Sequence, residues 1–453
     1  MFKSNPYVSV SDLDKCVHWI NDGSFRKISL EIPEHMLEYS ADIALYLQKC
    51  TENTDVWIIG DRIYDSACSD KLSHDHIDGD AAVHFGQACL SCDSLIPTYF
   101  VFPKESIDVQ SYCKLFCEYF QNVQEKILFF YDTSYACSID DIYECLKVRY
   151  NNLIFTQLIC TSNASFSCPQ SAGVKHTFFG RHVNLPPDNT ISAYSAVFLG
   201  PVEKTFNAMA LSIPAKKWYY VENSVFTEFN SYSSKFLKRR SYLLEKIRDA
   251  QKFGLLIASL NMTGFMTMVD HLKTVLEKMD KRVYVFTVGQ MTPSKLANFD
   301  EIDLFVAIAC PENSLIDSKE YYKPIVLPYE VELAFNENRT QDSLHIVDFK
   351  FILPGASAFI DFEASEYSEP SLVSGNMRSA SAHNKRETST EEKMKELALV
   401  EKSTGTLSLN IIEPSYLKSR HFIGLEQKLG QTEPSLAVEG RDGIPINYAN
   451  EKN

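Results

Sequence analysis

Twelve short runs of β-branched, aliphatic and aromatic residues punctuate the chain up to residue 330, and segments of helical character separate many of them. They fall into three groups of four. The first holds "RKISLEIP" (26–33), "DVWIIG" (55–60), "AAVHFG" (81–86) and "PTYFVF" (97–102). The second holds "KILFFY" (126–131), "LIFTQLIC" (153–160), "YSAVFLG" (194–200) and "KWYYVEN" (217–223). The third holds "FGLLIAS" (253–259), "RVYVFTVG" (282–289), "LFVAIAC" (304–310) and "KPIVLPYE" (323–330). Strands alternating with helices read as parallel sheets with crossover helices. In groups one and three an amphipathic helix separates the first two strands. In group three it covers 263–280, with Phe265, Val269, Leu272 and Leu276 on one face.

Residue identity does not repeat between the groups, but the order of elements does. The reading is an α/β protein of three related domains, at 1–105, 106–224 and 225–345. Each is a small, mainly parallel four-stranded sheet flanked by helices. The helix "RRSYLLEKIRDAQKF" (239–253) leads into the third. A C-terminal extension, 346–453, follows. Its stretch 363–410 is Ser- and Glu-rich with few aliphatic residues, too polar to offset its ordering entropy, and is expected to be disordered. Order is expected to return at about 415–445, where Leu417, Phe422, Leu425 and Leu429 form an apolar set suited to docking.

A net charge of −15 argues against a broad nucleic-acid surface, which needs clustered Lys and Arg. The basic run "KFLKRR" (235–240) reads as a solvated helix face. No apolar run approaches the roughly 20 residues of a membrane span, and the first residues lack the apolar core of a signal peptide. The expectation is a cytoplasmic protein without membrane partners. In that compartment the 12 cysteines do not form a disulfide framework. Paired CxxC motifs and zinc-type Cys–His spacings are absent, so any metal site must draw on distant parts of the chain.

In open parallel sheets, ligands bind beyond the carboxyl ends of the strands. Three cysteines occupy such places. Cys68 follows "DVWIIG", Cys89 follows "AAVHFG" and Cys310 closes "LFVAIA". On spacing alone two readings stay open. The three can be small buried hydrophobes, the usual state of cysteine. They can also be soft ligands for iron–sulfur or zinc. His84, near Cys89, is a candidate hydrogen-bond donor to sulfur, although a strand-end histidine more often simply packs. The other nine read as packing residues: Cys113, Cys117, Cys137 and Cys145 fall in predicted helices, and Cys16, Cys50, Cys92, Cys160 and Cys168 have no partner set.

"HFGQACLS" (84–91), the block 288–335 around "ACPENSL", "GLEQKLGQ" (424–431) and "AVEGRDGI" (437–444) closely resemble the diphthamide biosynthesis family, in its second-subunit branch. The resemblance runs in order through most of residues 10–345. It implies three similar α/β domains and a part in the first step of diphthamide synthesis. There the 3-amino-3-carboxypropyl group of S-adenosylmethionine passes to a histidine of translation elongation factor 2, by radical chemistry at a reduced 4Fe–4S cluster. The eukaryotic enzymes of this family are heterodimers. Subunit 1 holds the catalytic cluster and binds S-adenosylmethionine, while the other subunit holds a cluster that helps keep it reduced, fed by a small iron-binding electron donor. The resemblance places Cys89 and Cys310 at two cluster ligands. Cys68 falls at the third, in "YDSACSD", where relatives read like "YGSCCVD" and the first of the paired cysteines is here Ala67. The catalytic homologues also use a cysteine in the second domain, near "FFGRHVNLPP" (178–187), where this chain has none. The implied part is a required subunit that is not catalytic alone.

The alternatives are a self-sufficient homodimeric radical transferase, a nucleotide-binding protein and a zinc protein. The first lacks the second-domain cysteine. The second needs a Gly-rich turn, and "GLLIASLNMTG" (254–264) has glycines only at its ends. The third uses the same three thiols.

Overall fold

The computed structural model describes residues 6–60, 67–91, 96–164, 166, 173–222, 224–229, 235–316, 318–340, 345–364, 370–373, 375, 443–444 and 447–448. Three parallel sheets dominate, and all share one strand order, in which the second strand lies outside the first and the third lies on its other side. The first runs Asp55–Ile59, Lys27–Glu31, Ala81–Phe85, Thr98–Val101. The second runs Leu153–Phe155, Ile127–Tyr131, Ser195–Leu199, Lys217–Glu222. The third runs Arg282–Thr287, Lys252–Ile257, Leu304–Ile308, Ile325–Val326. The strand direction of winding reverses between the first and third strands of each sheet, which opens a crevice at their carboxyl ends.

The central strands are apolar on both faces because helices cover both. Ala81–Phe85, Ile127–Tyr131 and Leu304–Ile308 are buried throughout. The helix Phe265–Lys278 shows the expected stripe, with Val269, Leu272 and Leu276 fully buried and Phe265 packed at its rim. Its start turns on Gly264, at φ +82°, where a Cβ would stand 2.7 Å from Leu353 Cδ1.

The run 153–160 is not one strand. Leu153–Phe155 stays in the second sheet, and Gln157–Leu158 turns away to pair with Arg181–Leu185, whose other neighbour is Val174–Phe178. This antiparallel sheet, and the antiparallel strand Val225–Phe229 beside Lys217–Glu222, were not foreseen from the sequence. Thr161–Ser162 then joins the first sheet beside Thr98–Val101. Asn163 holds that crossing: its backbone N–H donates to Phe100 O, and its side chain accepts from Phe102 N and donates to Asp12.

The last run of the third group also divides. Only Ile325–Val326 is strand, and Pro328 opens the helix Pro328–Phe335. Proline has no N–H to lose at a helix start, and the Glu330 carboxylate accepts from Leu327 N at 2.7 Å. The basic run 235–240 begins the helix Lys235–Asp249, but Arg240 is buried, not solvated, because it ion-pairs with the buried Glu330. Glu363 and Ala364 are held by Asn336 and Glu337, and Ser371 donates to Asp249, so ordered chain enters the stretch expected to be disordered. Residues 365–369, 374 and 376–410, and 415–442 and 445 of the expected docking segment, lie outside the described residues. Residues 388–453 form a separate unit, in which Gly443–Ile444 pairs antiparallel with Asn447–Tyr448. No helix among the described residues is long and apolar enough to cross a membrane.

Candidate metal centre

The fold brings Cys68, Cys89 and Cys310 together. Their sulfurs all lie within 4.8 Å of one another. Cys68 Sγ stands 3.8 Å from Cys89 Sγ and 3.5 Å from Cys310 Sγ. Each residue is at most 2% exposed. The first two come from loops beyond the first sheet, and the third from the end of Leu304–Ile308 in the third. All three belong to the apolar cluster of the third sheet, with Ile257, Met262 and Ile308.

Glu31, at the end of the first strand, holds both first-sheet loops. Its Oε1 accepts from Asp70 N at 2.7 Å and from Ser69 Oγ at 3.3 Å, which fixes the residues just after Cys68. Its Oε2 lies 2.6 Å from His84 Nδ1, and His84 Nε2 donates to Gln87 O at 3.0 Å, two residues before Cys89. A carbonyl only accepts, so that nitrogen carries a hydrogen. Both ring nitrogens are thus engaged. His84 is not a donor to sulfur: it faces Glu31 and the backbone of the Cys89 loop. Cys89 N donates to Ala67 O at 3.0 Å, joining the two loops directly.

The third-sheet loop is held by its own turn. Cys310 caps the one-turn helix Pro311–Ser314, and Ser314 Oγ donates to Cys310 O at 2.8 Å. Two amides reach from this side to the Cys68 loop. Asn261 Nδ2 donates to Ser69 O, and Asn313 Nδ2 lies 3.4 Å from Cys68 Sγ. Glu312 is buried with its Oε2 accepting from Thr205 Oγ1 at 2.9 Å. Burial, with Cys89 nearby, raises its carboxyl well above the usual range. Glu31, Asn261, Glu312 and Asn313 were not singled out in the sequence. Only the adjacency of "PENS" to Cys310 pointed toward the last two.

Among the described residues the second sheet contributes no thiol to this group. In the stretch 178–187, Arg181 is buried and donates to Phe179 O and Tyr131 O. The preceding turn presses on the Cys89 loop. At Gly180, with φ +66°, a Cβ would lie 2.3 Å from Leu90 Cβ. Among the described residues no other cysteines form such a group. Burial pushes the thiols of Cys16 and Cys113 up, and that of Cys160 up to about 11, as for packing residues. Cys92 and Cys168 lie outside the described residues.

Three buried thiols, with no carboxylate or imidazole joining them among the described residues, form a soft donor set, suited to iron–sulfur or zinc. A single tetrahedral zinc, with Zn–S of about 2.3 Å, holds thiolates roughly 3.8 Å apart. A cubane carries its thiolates on separate irons and spreads them farther. A cavity of about 1540 Å³, lined by Cys68, Cys310, Gln87, Ser259 and Asn313, gives the side chains room to do so.

Comparison with known proteins agrees in fold and sequence. Residues 32–345 match the family described as putative diphthamide synthesis protein. The chain is 32% identical over 459 residues to 2-(3-amino-3-carboxypropyl)histidine synthase subunit 2 of Xenopus laevis, covering 97% of this chain and 92% of that one. The Schizosaccharomyces pombe protein of the same name is 28% identical, at 98% and 91% coverage. Among solved structures, Dph2 from Pyrococcus horikoshii superposes with a TM-score of 0.55 at 15% identity, covering 84% of this chain and 100% of that one. A second structure of it, with a 4Fe-4S cluster, gives 0.53 at 16% identity, covering 74% and 91%.

Proposed function

Since the chain belongs to the diphthamide synthesis family, we propose that it is the iron–sulfur subunit of the two-subunit transferase. That complex moves the 3-amino-3-carboxypropyl group of S-adenosylmethionine to a histidine of translation elongation factor 2. The carrying observation is the convergence of Cys68, Cys89 and Cys310 from two separate sheets to within 4.8 Å, beside a cavity. In this reading the three thiolates bind a 4Fe–4S cluster. When bound, that group supplies one-electron transfer, and the subunit's part is to keep the catalytic cluster of subunit 1 reduced.

The chain's own residues suit such a role. Glu31, His84 and the amide of Asn261 hold the cysteine loops in place, and the three cysteines are buried. S-adenosylmethionine binds in the partner, a small iron-binding protein delivers electrons, and the complex works in the cytoplasm. The buried Arg181, in the stretch where catalytic homologues carry a cysteine, disfavours a self-sufficient homodimeric transferase. The spacing of the thiols also suits a single zinc, so metal identity is the test. The full-length chain purified without oxygen is expected to be brown, with iron and sulfide in equal amounts. Cys89→Ser and Cys310→Ser are each expected to lose iron, and Cys113→Ser and Cys145→Ser to keep it. A colourless zinc protein, or full iron in the Cys89→Ser, Cys310→Ser double variant, overturns the reading.

A further inference from the structure

Asn313, in the third sheet's loop, points an amide N–H at a sulfur ligand from the first. Its Nδ2 lies 3.4 Å from Cys68 Sγ, across 245 residues of sequence. This direction is imposed locally. Pro311 opens the turn, Asn313 N donates to Cys310 O at 3.0 Å, and Ser314 Oγ clasps the carbonyls of Ala309 and Cys310. The chain beside the target is held as well, because Glu31 and Asn261 bind Ser69 and Asp70, the two residues after Cys68.

We infer that Asn313 is the residue that tunes the electron affinity of this site, by donating an N–H···S hydrogen bond to the Cys68 thiolate. The inference rests on the cluster reading above. On one-electron reduction the thiolate sulfurs gain electron density, and a donor to sulfur stabilises the reduced form more than the oxidised one. In a buried site that stabilisation is weakly screened. Asparagine is also neutral, so it makes reduction easier without adding a titrating group. Aspartate at the same position has the same shape but no amide hydrogens and a negative charge, and opposes reduction. Asn313 therefore sets the potential rather than the affinity for iron.

The test is a redox titration of the full-length chain, loaded anaerobically and reduced with dithionite, with iron content measured alongside. Asn313→Leu is expected to keep its iron and to shift the midpoint to more negative potential, and Asn313→Asp to shift it further. Asn313→Gln, which keeps a donor on a longer arm, is expected to fall between the parent and Asn313→Leu. Equal potentials in all four proteins, each with full iron, overturn the inference. If the variants lose iron, the parent labelled with ¹⁵N-asparagine decides. Coupling of an asparagine nitrogen to the reduced centre in pulsed electron paramagnetic resonance supports the donor, and its absence overturns it. A parent that holds zinc or no metal overturns the cluster reading itself. A brown parent whose variants keep its potential overturns only the role of Asn313.

Discussion

His84 Nδ1 lies 2.6 Å from Glu31 Oε2, and neither side chain has any exposed surface. The contact joins the ends of the first and third strands of the first sheet at the point where its winding reverses. Through Asp70 and Gln87 it fixes both loops that carry thiols. Removing one partner leaves a buried polar atom of the other without its hydrogen bond, at a cost of about 1–3 kcal/mol. Glu31→Ala and His84→Ala are each expected to lower stability by that amount in denaturant titrations, and to release iron from the loaded protein. Unchanged iron in a destabilised Glu31→Ala protein would separate the pair from the site.

A second buried pair governs behaviour in acid. Burial alone raises the Glu330 carboxyl, but Arg240 beside it and the nearby His345 bring it down to about 2, from an ordinary 4.5. A carboxyl depressed on folding adds stability that is fully present above about 4.5 and is lost as pH falls through about 2. Arg240→Met is expected to cost about 3–5 kcal/mol at neutral pH and to flatten the dependence of stability on pH between those limits. Denaturant titrations from pH 6 to pH 2 read both effects.

Gly180 lets the turn of the antiparallel sheet reach the Cys89 loop. Gly180→Ala is expected to cost more than the roughly 1–2 kcal/mol of a left-handed residue, because its Cβ meets Leu90 at 2.3 Å. Gly355 has φ +84° and open space around it, so Gly355→Ala is expected to show the backbone cost alone. Melting temperatures of the two variants give the difference. Faster labelling of Cys89 in apo Gly180→Ala would show that the loop has moved.

In the reconstituted complex with subunit 1, Cys310→Ser is expected to slow turnover much more with the physiological electron donor than with excess dithionite, which reduces the catalytic cluster directly. The isolated chain is expected to modify no histidine. Equal slowing with both reductants would mark the site as structural.

The sheets were legible because buried parallel strands read as continuous apolar runs, and all twelve runs contain a strand. The three thiols were legible because each follows a strand at its carboxyl end. What escaped notice depends on contacts between distant segments. Nothing in "LIFTQLIC" shows that its second half turns to pair with Arg181–His182. Arg240 looks solvated until Glu330, 90 residues later, folds over it. Nearness to Cys89 made His84 only a candidate donor to sulfur beside the commoner reading of a packed, satisfied histidine, and its partner Glu31, 53 residues earlier, is invisible in the sequence.

Cys310 lies 242 residues beyond Cys68. During synthesis at about 5–20 residues per second, the third thiol leaves the ribosome roughly 12–50 s after the first. Through that interval the nascent first sheet displays two thiols with no third to complete the set. Maturation of the site is therefore a late event. Any cofactor held by all three thiols is completed only after the third sheet has been made and then acts as a clasp between the first and third sheets, raising the barrier to their separation.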